Sequence, residues 1–150
     1  MILEKNMLWI KTFFGILFQT SLLGIFLYLP ALTLNWSDAF LFLSIHFLIT
    51  ILASAYLLII KPASIEARMN YNSEAQPKED RLATALMLSA IIVGLSLAPI
   101  DIFHLNLSSS FEGIIKNIGL GVYIIGMLLV MASMNANEFA ETTVNIQEER

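Results

Sequence analysis

Four apolar runs without a single Asp, Glu, Lys or Arg constrain this chain more than any other feature: Thr12 to Leu29, Ala39 to Ile60, Leu82 to Ala98 and Asn117 to Asn137. As helices they meet the roughly 17 to 25 residues that cross a hydrocarbon core about 30 Å thick. The charges fall between the runs rather than along one face of them. Only 13% of the 150 residues are charged and 57% are hydrophobic, with mean hydropathy +0.76, whereas soluble domains carry about 25% charged residues. Too few charges remain to cover a water-exposed surface. The expected fold is all-α and integral to the membrane, a single domain over 1–150 with four transmembrane helices. Lipid is its main partner, and its place is a multi-pass one in the cell's inner or plasma membrane.

The first run follows Lys11 and is expected to end near Leu29, because Pro30 cannot donate into a continuing ladder. A secretory signal would have an apolar stretch of about 7–15 residues and a small-x-small cleavage site; this run is longer and has no such site, so it reads as a retained helix. Trp9 and Trp36 lie near its ends, at the headgroup level that aromatic rings favour. The second run lies between Asp38 and Lys61, with Pro62 marking the exit. Residues 61–81 form the charged connection: a short helix over Ala63–Met69 opened by Pro62, a turn at Asn70-Tyr71-Asn72-Ser73, then Pro77 at a first helical position with Glu79 and Asp80 near the positive helix end. The third run closes at Pro99 and Asp101. Asp101 to Lys116 reads as an interfacial loop.

Orientation follows from the basic residues. If four helices alternate, Lys5, Lys11, Lys61, Arg68, Lys78, Arg81 and Arg150 share one side and Lys116 alone takes the other. That bias puts both termini, loop 61–81 and tail 138–150 in the cytoplasm. The net charge of −4 and the lack of a basic patch exclude nucleic acid as a partner. With no cysteine in the chain, disulfides, thiolate metal sites and cysteine nucleophiles are excluded. Small residues recur at Ala90, Gly94 and Ala98 and at Gly119, Gly126 and Ser133, the spacing that lets membrane helices approach closely, within the chain or in a homo-oligomer.

Chemistry-bearing residues are sparse. His46 is the one readily titratable side chain inside a run; a proton relay or ligand would need such a group, but a lone histidine in a span more often hydrogen-bonds a neighbouring helix. His104 has no second ligand nearby, so no metal is assigned. Asp101 and Glu112 are too far from other acids to pair, and no catalytic residue is named. The triplets Asn35-Trp36-Ser37 and Asn106-Leu107-Ser108 match a glycosylation pattern, but they lie close to the membrane and are discounted.

The segments Asn135-Ala136-Asn137-Glu138-Phe139 and Thr143-Val144-Asn145-Ile146-Gln147 through Arg150 resemble the linker of the isoprenylcysteine carboxyl methyltransferase family. Lys61-Pro62, Glu66-Ala67-Arg68 and Lys78-Glu79-Asp80-Arg81 resemble its inner loop. The likeness covers Lys61 to Arg150. It implies an integral-membrane methyltransferase that moves a methyl group from S-adenosylmethionine to a prenylcysteine carboxylate or a lipid. The family's cofactor signature, Gly-Pro-Tyr followed by Tyr-x-x-Arg-His-Pro-x-Tyr, would come just past Arg150, and no Arg-His-Pro occurs in the chain. The resemblance therefore implies an N-terminal membrane part that binds no cofactor alone, with a further chain or segment supplying the C-terminal half. Asn137, Phe139 and Gln147 would at most help frame the pocket; the alternative is a solvated helix end with an Asn cap. Two other readings stay open: a non-enzymatic four-helix scaffold or partner subunit, and a small dimeric transporter.

Overall fold

Lipid-length apolar runs become helices because only a helix satisfies its backbone internally where water is absent. The structure, a computed structural model, describes residues 2–69, 78–107 and 113–136. These form α1 (Ile2–Ala31), α2 (Ser37–Ile60), α3 (Pro62–Met69), α4 (Lys78–Ile100) and α5 (Ile114–Ala136), with a π-helical turn, Asp101–Leu105, continuing α4. No strand occurs among the described residues. Among the described residues, four segments are long and apolar enough to cross a membrane: Asn6–Ala31, Ser37–Ile60, Arg81–Leu105 and Ile114–Ala136. The turn expected at 70–73, Pro77, Glu112 and the tail 137–150, with Asn137, Phe139 and Gln147, lie outside the described residues.

α1 and α2 form the central pair. α4 packs on α1, α5 packs on α2, and α3 folds against the end of α2, so the long helices run α4–α1–α2–α5 in space. Little is buried: Ile16, Leu27, Ala31, Ala39, Leu57, Leu58 and Ile65 make up the apolar interior, and α5 contributes no buried residue. Phe18 is 71% exposed and Leu129 65% exposed. Such a thin interior with large apolar side chains outside is what a membrane solvent permits and water does not.

Two prolines expected to stop helices instead sit within them. α1 runs to Ala31 through Pro30. Proline at 30 leaves the carbonyl four residues back, on Phe26, without its ladder donor, and Ser96 Oγ of α4 donates to that oxygen at 3.5 Å. A neighbouring helix thus offers a long replacement for the missing bond, one residue before α1 ends. α4 likewise passes Pro99 and widens into the π turn, where Asn106 N–H reaches Asp101 O at 2.7 Å. Asn106 then takes the left-handed conformation (φ 51°), which asparagine tolerates, and Leu107 N–H donates to Asp101 Oδ1 at 2.8 Å. The expected loop from Asp101 thus begins as helix.

Opposite ends of the structure differ in character. At one end, Leu57, Leu58 and Ile65 cluster with Leu8, Trp9 and Met134. At the other, Trp36 stands edge-on to Tyr28 (6.3 Å between centroids) and to Phe103 (5.2 Å), and His104 Nε2 donates to Pro30 O at 2.7 Å. The small-residue stripes do not join helices within the chain. A Cβ added at Gly94, Gly119 or Gly126 would meet nothing within 4 Å, and Ala90, Ala98 and Ser133 are exposed.

Candidate functional site

The α2–α3 junction and the end of α5 make the most elaborate polar contact in the structure. Lys61 ends the α2 ladder with its N–H on Leu57 O at 2.7 Å, and its backbone leaves the helix (φ −139°, ψ 63°). Pro62, which needs no amide donor at a first helical position, opens α3. This break aims the Lys61 side chain at α5, where Nζ donates to Asn135 O at 2.6 Å. Ser64, fully buried, donates its hydroxyl to Met134 O at 3.3 Å. The last carbonyls of a helix have no partner within it and carry its partial negative charge. A cation and a hydroxyl therefore clamp the point at which α5 delivers the chain to whatever follows Ala136.

Beside this clamp lies a crevice of about 370 Å³ between α1, α2 and α5, closed by α3. Met69, Met127, Met131 and Met134 line it together with Ile16, Leu57 and Ile65. Its polar groups are Lys11, Thr12, Gln19, Thr50 and Ser54. Thr12 Oγ1 donates to Leu8 O at 2.8 Å and lies 3.8 Å from Met69 Sδ; Thr50 Oγ1 is buried without a partner. A mostly apolar wall with a few convergent polar groups, at about 300–1,000 Å³, is the usual form of a small-molecule site, and thioethers adapt to irregular apolar shapes. The crevice is built to hold an apolar chain, with Lys11 among its polar groups. It contains no nucleophile–base pair and no paired carboxylates. Among the described residues no cluster of three metal-ligating side chains occurs.

A second groove of about 460 Å³ opens at the other end, among Trp36, Leu41, Phe42, Ile102, Leu120 and Tyr123. Asp38 and Lys116, which also line it, form an ion pair. A wider groove of about 520 Å³ follows the outer side of α1 past Tyr28. Its polar groups are spent locally, with Tyr28 Oη on Trp36 O at 3.3 Å and Thr33 Oγ1 accepting from Asn35 N–H at 3.1 Å. Its shape fits lipid packing better than specific recognition.

The sequence-level candidates fall out as follows. His46 Nδ1 lies 2.5 Å from Tyr123 Oη, linking α2 to α5. His104 and Asp101 serve the helix ends described above. Asn137, Phe139 and Gln147 are outside the described residues. Sequence reasoning missed Lys61, Ser64 and Tyr123 as contact makers, since each partner lies 70 or more residues away. The methionines at 127, 131 and 134 were detectable, because that spacing puts them on one helical face.

Fold and site together define a class: among the described residues, a helical structure with four potential membrane-crossing helices, an apolar crevice, and a clamped helix exit beside it. No protein-family model matches the chain, and no curated protein or solved structure is significantly similar to it.

Proposed function

We propose that this chain is the membrane-embedded N-terminal portion of a methyltransferase-like protein, with both ends toward the cytosol. Its parent chemistry is methyl transfer from S-adenosylmethionine to a membrane-associated acceptor such as a prenylcysteine carboxylate or a lipid. The observation that carries this reading is the clamp of Lys61 on Asn135 O and Ser64 on Met134 O. It fixes the exit of α5 beside the crevice, so the residues that follow start next to any acceptor whose apolar tail occupies it. Methyl transfer gains most from holding donor and acceptor close and aligned, and such positioning is what a rigid exit supplies. The chain is inactive alone on this reading, since the Arg-His-Pro of the cofactor signature is not among its residues.

The test is a pair of calorimetric titrations on the detergent-purified chain. S-adenosylmethionine is expected to give no saturable heat, whereas a farnesylated cysteine analogue binds and Met131→Asp weakens it. Saturable S-adenosylmethionine binding lost in Asn137→Ala or Gln147→Ala would overturn the incomplete pocket, and failure of the farnesylated analogue to bind would overturn the acceptor role of the crevice. A second reading, a non-enzymatic scaffold or partner subunit, draws on the unburied α5 and the open space beside Gly119 and Gly126. It requires a crosslinked partner on that face in native membranes.

A further inference from the structure

His46 lies on α2 between Thr50, which lines the inner crevice, and Phe42, which lines the outer groove. Tyr123 lines the groove that opens beside Asp38 and Lys116, and its hydroxyl lies 2.5 Å from His46 Nδ1. His46 is 3% exposed, and its other nitrogen, Nε2, is buried without a partner. One helical turn further along α2, on the same face, Thr50 lines the crevice that contains Lys11. Its Oγ1 is also buried and unpartnered, as is Thr20 Oγ1 on α1. α1 and α2 are antiparallel and joined by a short turn, and a methyl placed on Gly24 would come 3.6 Å from Leu43 Cδ1. Counting back one turn from Gly24 and forward one from Leu43 sets Thr20 level with Phe47, between His46 and Thr50. Three unsatisfied polar atoms therefore fall within about one helical turn of each other along the bundle.

Unpaired polar atoms are rare in a bundle interior because each forfeits its solvation. Two hydroxyls and an imidazole nitrogen are also the set of two to four partners that a bound water needs. We propose that His46 is the centre of a proton-transfer path joining the two crevices across the membrane, an activity separate from methyl transfer that rests only on the chain spanning the bilayer. A proton arriving from the Thr50 side, carried by water, binds Nε2 and makes an imidazolium. The Nδ1 proton then passes to Tyr123 oxygen while the tyrosine hydroxyl proton leaves into the outer groove. One proton enters and one leaves; the cycle closes when the ring turns Nδ1 away from Tyr123, a water protonates Nδ1 while another accepts the Nε2 proton, and the ring turns back. Phe42 lies nearly parallel to the ring, with 6.4 Å between centroids. Besides His46 and Tyr123, the ionisable side chains lining the two crevices are Lys11 on α1, Asp38 on α2 and Lys116 on α5.

The experiment reconstitutes the full chain into phosphatidylcholine vesicles loaded with a pH-sensitive dye and imposes a potassium diffusion potential with valinomycin. Flotation confirms insertion, and circular dichroism confirms the fold of each variant. The expected result is acidification faster than in protein-free vesicles. It falls to the protein-free rate in His46→Phe and in Tyr123→Phe, slows in Thr50→Val, and is unchanged in the lipid-facing Leu129→Ala. Wild-type flux equal to that of empty vesicles overturns the proposal. So does wild-type flux in Tyr123→Phe, a variant that removes one oxygen and keeps the ring.

Discussion

Lys61 joins three roles that a sequence usually distributes: it ends one helix, precedes the proline that starts the next, and caps a third. Its ammonium on a helix C-terminus is worth about 0.3–1 kcal/mol, rising to about 2 in partly buried geometry. Lys61→Met should therefore lower the unfolding free energy of the detergent-solubilised chain by about 1 kcal/mol, with Lys61→Arg close to wild type, both read by thermal melts. The apolar floor beneath it matters more. Leu57 is 1% exposed in the cluster with Leu58 and Ile65, and Leu57→Ala should cost about 2–5 kcal/mol in the same assay. By contrast the ion pair of Asp38 with Lys116 has both side chains about half exposed (51% and 42%). Such pairs contribute about 0–1 kcal/mol, so Asp38→Asn should leave the melt nearly unmoved. Its polar fork marks the groove rather than holding the fold.

The proline-bearing helices show where local rules stop. Pro30 and Pro99 are stop signals by chemistry, and a single sequence offers no hint that a serine 70 residues from Phe26 takes the freed carbonyl. The consequence is a coupling that a double-mutant cycle can read. Pro30→Ala restores the ladder bond, so Ser96→Ala should destabilise the wild-type chain more than it destabilises the Pro30→Ala chain. Equal effects in both backgrounds would break the compensation argument. The helices themselves were legible because lipid leaves an apolar, charge-free stretch few options, and α3 was legible from Pro62. What joins the helices was not: Tyr123 looks like any tyrosine in an apolar run until α5 brings it to His46, 77 residues earlier in the chain. The stripes at Gly94 and Gly126 failed in the opposite way. Their spacing is correct for close packing, but the faces that carry them meet nothing within the chain.

For the molecule as a whole, the antiparallel path places the start of α1, the α2–α3 junction and the end of α5 together. Reporter fusions read this directly. Reporters after Arg150 and within residues 69–75 should both register cytoplasm, and one after Leu107 the opposite side; a mismatch at any of the three positions would break the four-span topology. The order of packing has a further consequence, in biogenesis. The α1–α2 hairpin and α3 are synthesised first, and they already hold Lys61 and Ser64, the groups that will receive Met134 and Asn135. The receptor for α5 thus leaves the ribosome before α5 does, and a nascent chain can register the arrival of that helix by whether the receptor fills.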